Sequence, residues 1–141
     1  AYEWDADGTL IRTFPSGSFH AVRLANGNTL VSDGHGLKEK KTLLTEYAPD
    51  GSVAWALGDA DLKQAGLSVY MVCGFQRLPN GNTVVSNVRH GRHPMGEEDG
   101  EKPKAFEITK DKRVVWKVPA ATSKLNMGSI QILDAGANPC R

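Results

Sequence analysis

One stretch of this chain occurs twice, and that repetition constrains the fold more than any other feature. Ala21-Val22-Arg23-Leu24-Ala25-Asn26-Gly27-Asn28-Thr29-Leu30-Val31-Ser32 returns 54 residues later as Phe75-Gln76-Arg77-Leu78-Pro79-Asn80-Gly81-Asn82-Thr83-Val84-Val85-Ser86. Eight of the twelve pairs are identical, which a chain of 141 residues does not produce by chance. Asn-Gly accepts positive φ at little cost, so each copy predicts a tight hairpin between two apolar-rich antiparallel strands.

A second unit alternates with the first. Glu46–Trp55 resembles Glu107–Trp116, and both resemble Glu3-Trp4-Asp5-Ala6-Asp7-Gly8-Thr9-Leu10-Ile11-Arg12. Each reads as strand, Asp-centred turn, strand. Two hairpins in a period of about fifty residues predict one four-stranded sheet, and such sheets set radially are propeller blades. A sandwich of short strands is the alternative, but it has no need of the same hairpin twice in the same order.

The expected fold is therefore all-β. Residues 1–141 read as a single partial β-propeller domain, with about two complete blades of four antiparallel strands and parts of a third. Residues 18–58 hold one blade, with strands at Phe19–Leu24, Thr29–Asp33, Leu43–Ala48 and Val53–Leu57. Residues 72–119 hold the next, at Val72–Leu78, Thr83–Arg89, Lys104–Thr109 and Val114–Val118. Residues 1–14 supply an outer hairpin, and residues 126–133 the inner strand of a further blade.

Such a set does not close by itself, because natural rings hold about four to eight blades. The strand edges left over are adhesive. Self-association or a partner chain completing the propeller is expected. The break after Leu133, in mid-hairpin, favours a piece of a longer ring; two copies forming a ring of about six blades is the alternative.

Composition excludes some partners. A net charge of +1, from 17 basic and 16 acidic residues, offers no electrostatic case for nucleic acid. No apolar run reaches the length of a membrane span, and Ala1–Asp7 lacks the basic-then-apolar order of a signal peptide. Cys73 lies in the apolar run Val69–Phe75 and reads as a buried free thiol, with Cys140 near the end of the chain. A disulfide between them stays open, and the spacing offers no zinc pattern.

The Arg-Leu-Pro-Asn-Gly-Asn-Thr core at Arg77–Thr83, with an Asp-Gly turn and a strand ending in Trp, resembles a known class of repeats. These belong to bacterial propellers related to arylsulfotransferases and to pyrroloquinoline-quinone-type repeat proteins. The resemblance covers Ser18–Leu133 and implies architecture rather than activity, since such repeats are a scaffold for many functions. It favours an extracytoplasmic or periplasmic setting. Arylsulfotransferases of this fold use a His-centred, Arg-assisted site on the axis, but no longer motif in this chain marks that His. The Trp-docking signatures and metal site of the quinone-binding enzymes are not visible, and no cofactor is indicated.

In this layout the connections 34–42 and 90–103, and those at 15–18, 58–70 and 120–125, all leave the same end of the blades. The opposite end carries only short turns. All four histidines fall at the loop-rich end. The candidate ligand-binding residues, at the mouth of the axis, are His20, Asp33, His35, Arg89, His90, Arg92 and His93. Imidazoles ligate metals or move protons near neutral pH. Arginines hold a sulfate, phosphate or carboxylate through paired hydrogen bonds, so a small anionic ligand fits this set. His90-Gly-Arg-His93 has no ligand spacing that stands on its own, and no metal site is predicted. The plainer alternative is that loops collect polar residues. His20 stands out because its repeat equivalents are Gly74 and Ser129.

Other residues have structural explanations. Trp4, Trp55 and Trp116 recur in outer hairpins and are expected to pack between blades. Arg23 and Arg77 recur on inner strands and are expected to bond neighbouring blades rather than line a channel. Glu97-Glu98-Asp99-Gly100-Glu101 lacks the alternating spacing of a calcium loop. The expected function is a ligand- or protein-binding module acting through the loop-rich face. The alternative is part of an arylsulfotransferase-like or quinoprotein-like enzyme with a His/Arg axial site.

Overall fold

The computed structural model describes residues 1–14, 18–33, 42–88, 101–120 and 127–133. Apart from one short helix the described chain is all-β, in three antiparallel sheets of two, four and four strands. The first pairs β1 (Tyr2–Trp4) with β2 (Leu10–Thr13). The second is a meander of β3 (His20–Arg23), β4 (Thr29–Ser32), β5 (Thr42–Tyr47) and β6 (Val53–Gly58). The third repeats it with β7 (Val72–Arg77), β8 (Thr83–Asn87), β9 (Ala105–Ile108) and β10 (Val114–Val118). All eight strands of the two larger sheets begin and end within two residues of the limits expected from sequence.

The duplicated hairpins explain the shared register. Gly27 and Gly81 take φ of 83° and 86°, the left-handed turn conformation that a side chain would strain. The side chains of Asn26 and Asn80 accept hydrogen bonds from the backbone N–H of Asn28 and Asn82, at 3.0 and 2.9 Å. Arg23 therefore faces Thr29, and Arg77 faces Thr83. The recurring serine has its own task. Ser32 Oγ accepts from His20 N and Ser86 Oγ from Gly74 N, both at 3.0 Å, so a hydroxyl staples the start of each inner strand to the end of its neighbour.

The core lies between the two four-stranded sheets. Leu30, Leu44, Trp55 and Leu57 of one meet Val72, Phe75, Val85, Phe106 and Ile108 of the other. Burying each side chain of this kind contributes about 1.5–3 kcal/mol, and the central strands β4, β5, β8 and β9 are buried along nearly their whole length. The segment 58–70, expected to be a loop, contains helix α1 (Asp59–Gln64). Six residues do not hold a helix by propensity. Leu62, fully buried, completes the core from above, and Asp61 accepts a hydrogen bond from Gly58 N at 2.8 Å. Asp61 also takes the Lys112 ammonium at 2.9 Å. Lys112 sits at φ 67°, in the turn position that Gly8 and Gly51 fill in the other two sheets.

Two contacts recur where sheets meet. Arg77 Nη2 lies 2.9 Å from Glu46 Oε2, tying β7 to β5 of the preceding sheet, and Arg23 Nη2 pairs in the same way with Glu3 Oε1 on β1. At the outer strands, Trp55 Nε1 donates to Lys110 O in the β9–β10 turn at 2.8 Å. Arg12 takes the same role one sheet earlier, donating to Ala48 O at 3.1 Å and to Pro49 O in the β5–β6 turn. The expectation that the repeated arginines join neighbouring sheets holds. For the tryptophans it holds at Trp55 and fails at Trp4, which is 57% exposed. Trp4 falls at the position of Tyr47 and Ile108, on the strand before the one that carries Trp55 and Trp116.

Residues 127–133, the described part of the expected inner strand at 126–133, pair with no strand among the described residues. They lie against β7. Ile132 N donates to Gln76 Oε1 at 2.6 Å, and Ser129 sits over Gly74. Cys73 is a free, half-buried thiol whose pKa is pushed up by burial, and Cys140 lies outside the described residues.

Candidate functional site

The two ends of the four-stranded sheets differ as expected. His20 pairs with Ser32, and Thr42 with Gly58, so the connections 33–42 and 59–71 leave the same end of their sheet. In the third sheet Val72 pairs with Asn87 and Val118 with Ala105, which puts the long connection 88–104 at the corresponding end. The other end has only the tight turns.

Of the seven residues expected to form a site, His20 and Asp33 are described. His35, Arg89, His90, Arg92 and His93 lie outside the described residues. His20 opens β3 at the loop-rich end, and its exposed ring lies 4.8 Å from the Phe75 ring of β7, tilted by 37°. The imidazole thus reaches across the seam between two sheets to an apolar ring while the residue stays exposed.

The contrast with Gly74 has a steric cause. A Cβ on Gly74 would stand 2.7 Å from Ser129 Cα and 3.0 Å from Gly128 O. The inner-strand position must be bare where segment 127–133 presses on it, and it carries a full side chain at His20, which is exposed. His20 is a departure from the repeat that the packing permits.

Asp33 points elsewhere. It is buried, and its Oδ2 accepts from Thr42 Oγ1 and Thr45 Oγ1, both at 3.1 Å. Its Oδ1 is buried with no partner among the described residues. The repeat equivalent, Asn87, shows what this position does. Asn87 Oδ1 accepts from Tyr70 N at 2.9 Å, and Nδ2 donates to Pro103 O at 2.9 Å and Ser68 O at 3.3 Å. It pins the incoming connection to the outgoing one. The structure therefore does not join His20 and Asp33 in one constellation: one faces solvent over Phe75, and the other braces β4 against β5. The charge of Asp33 is nonetheless felt by Tyr47, whose pKa is raised by burial and then by that carboxylate.

A recess of about 130 Å³ opens beside Asn87, lined by Ser68, Tyr70, Lys102, Pro103, Lys104 and Ala120. Two lysines, on either side of Pro103 in sequence, share its lining with Tyr70 and Asn87. Lysine is a point-charge donor to anions, so the recess has the chemistry for a small oxyanion. The sequence reading missed it because Lys102 and Lys104 fall in a charge-rich stretch that looks like any solvated loop. The pointer available was Asn87 in the place of Asp33: an amide there satisfies two backbone carbonyls without adding a negative charge. Among the described residues no group of three or more His, Cys, Asp or Glu side chains is placed to hold a metal ion. No helix among them is long and apolar enough to cross a membrane.

No protein-family model and no curated protein matches the chain. Among solved structures it is similar to the crystal structure of a protein of unknown function from Bacteroides caccae, with a TM-score of 0.70 and 21% sequence identity. The match covers 91% of this chain and 44% of the other, so the chain spans less than half the length of the protein it resembles, and the likeness is one of fold.

Proposed function

We propose that the two four-stranded sheets are blades of a β-propeller and that the chain is a binding module. It takes a small anionic ligand, or an acidic group on a protein, at its loop-rich end. The observation that carries this reading is the asymmetry between the ends. The exposed imidazole of His20 over Phe75 and the recess at Asn87, with two lysines in its lining, stand at the end from which the long connections leave. Function concentrates on loops held by a rigid scaffold, and each sheet here is braced to the next by an arginine and an outer-strand hydrogen bond. The blade reading is supported by the repeat, by the consecutive strand order in both sheets and by the recurrence of the same joints. At the ratio of the fold match, a chain as long as the Bacteroides caccae protein has room for about six such sheets, within the range of natural propellers. A partner carrying further blades completes the ring on this reading.

The test is a titration of the isotope-labelled chain with sulfate, phosphate and acetate, followed by NMR. Saturable shifts at the His20 ring and at residues 68–70 and 102–104 are expected. His20→Ala should weaken them several-fold with the unfolding midpoint unchanged. Shifts confined to the turn end, or none at all, would sink the anion site. The transferase-like alternative rests on Arg89 and Arg92, which lie outside the described residues.

A further inference from the structure

β1 is paired on one side only. Its ladder runs to β2, and among the described residues its other edge is open. In the larger sheets that edge is taken: β4 pairs with β5, and β8 with β9.

The repeat specifies the missing neighbour. Glu46 on β5 and Glu107 on β9 stand where Glu3 stands on β1. Each receives an amide from the adjoining strand: Asn28 Nδ2 lies 2.7 Å from Glu46 Oε1, and Asn82 Nδ2 lies 2.6 Å from Glu107 Oε1. The second oxygen of Glu46 takes Arg77 from the next sheet. Glu3 has the arginine, since Arg23 donates to its Oε1, but its Oε2 is buried and has no partner among the described residues. A buried carboxylate oxygen without a donor is costly, and the absent donor is the one that asparagine supplies at both other copies.

We propose that the open edge of β1 is a docking site for a further Asn-Gly-Asn-Thr hairpin, whose second asparagine donates to Glu3 Oε2. The register follows from the two complete cases. Thr29 faces Tyr47 and Leu30 faces Glu46; Thr83 faces Ile108 and Val84 faces Glu107. The incoming strand places its threonine opposite Trp4 and its next, apolar residue opposite Glu3. Trp4 and Tyr2, 57% and 67% exposed, then gain a neighbouring strand. A second copy of this chain does not meet the requirement with its described strands, because β4 and β8 are each paired on both sides. The occupant is one more hairpin repeat of this type. The inference rests on the blade reading, and it adds the occupant's chemistry and alignment.

The probe is a peptide with the sequence of residues 19–33, an Asn-Gly-Asn-Thr hairpin in its own right, titrated into the labelled chain. Saturable binding with amide shifts at residues 2–4 is expected. A peptide with Asn28→Ala should bind about tenfold more weakly, the equivalent of one buried hydrogen bond to a charged group. In Glu3→Leu the two peptides should bind alike. Since a free hairpin is marginally stable, the same sequence is also joined through a flexible linker ahead of Ala1. That fusion should raise the unfolding midpoint, and Asn28→Ala within the added copy should cancel most of the gain. Equal binding and equal midpoints with and without the asparagine overturn the joint to Glu3 while leaving the blade reading intact. No binding and no gain from either form overturns both.

Discussion

Arg77 and Glu46 lock the two four-stranded sheets together, with Nη2 2.9 Å from Oε2 and the guanidinium 5.2 Å above the Trp55 ring. The pair is largely buried, with side-chain exposures of 16% and 7%. Removing one member of such a pair leaves an uncompensated charge in the seam. Arg77→Ala is expected to cost about 3 kcal/mol in chemical denaturation. Arg23→Ala breaks the matching pair with Glu3, but Arg23 is 45% exposed, and the cost should stay below about 1 kcal/mol. Equal losses would mean that the buried seam adds nothing to the pair.

Acid should loosen the same joint. Burial works against the charge on Glu46, yet hydrogen bonds from Asn28 and Asn26 and the charges of Arg77 and Lys110 outweigh it, holding the carboxyl below its ordinary 4.5. A lowered folded-state pKa gives stability that is fully present above 4.5 and is lost as pH falls through the folded value. Unfolding midpoints should be level near neutrality and drop below about pH 4.5. Glu46→Gln should flatten part of that acid limb. Asp61, lowered by Lys112 and Gly58 against its burial, supplies another part. An acid limb unchanged in Glu46→Gln would assign it to other carboxylates.

Trp55→Phe separates packing from hydrogen bonding. The ring remains in the core, but the 2.8 Å bond to Lys110 O is lost and a carbonyl is left unpaired at the seam. About 1–2 kcal/mol of destabilisation is expected, with faster hydrogen exchange in the β9–β10 turn. Exchange unchanged in that turn would show that the bond does not hold the two sheets.

Gly74→Ala asks what keeps segment 127–133 in place. The added methyl meets Ser129 Cα at 2.7 Å and Ser86 Oγ at 3.2 Å. Overpacking of this kind costs about 1–3 kcal/mol, and the segment with the fewest bonds should give way first. Limited proteolysis should cut near residues 127–133 faster, while β7 and β8 keep their protection. Uniform loss of protection through the third sheet would instead make the segment part of that sheet's own core.

Much of this was legible in the sequence, for reasons particular residues make plain. Asn26-Gly27-Asn28 and Asn80-Gly81-Asn82 carry their turn geometry in their own side chains, so strand limits and register could be read without tertiary information. Helix α1 could not. Asp59-Ala60-Asp61-Leu62-Lys63-Gln64 has one large apolar residue and no period to detect, and it folds because Leu62 is buried in the core. Trp4 shares the place of Tyr47 and Ile108 in the aligned hairpins, so belonging to an outer hairpin did not by itself put its ring where Trp55 packs. For the candidate site, the loop-rich end followed from strand order alone. The separate tasks of His20 and Asp33 did not, because both lie at that end in sequence and only side-chain direction parts them.

Arg12 and Trp55 share no chemistry beyond an N–H at the end of a long side chain, yet both reach a carbonyl in the next sheet's outer turn. A backbone acceptor is present whatever residue occupies the turn, so half of this joint is immune to substitution. The other half asks only for a donor of the right reach. Docking built on such terms lets repeats drift apart in spelling while their geometry stays fixed, and any search that scores letters loses such relatives long before one that scores shape.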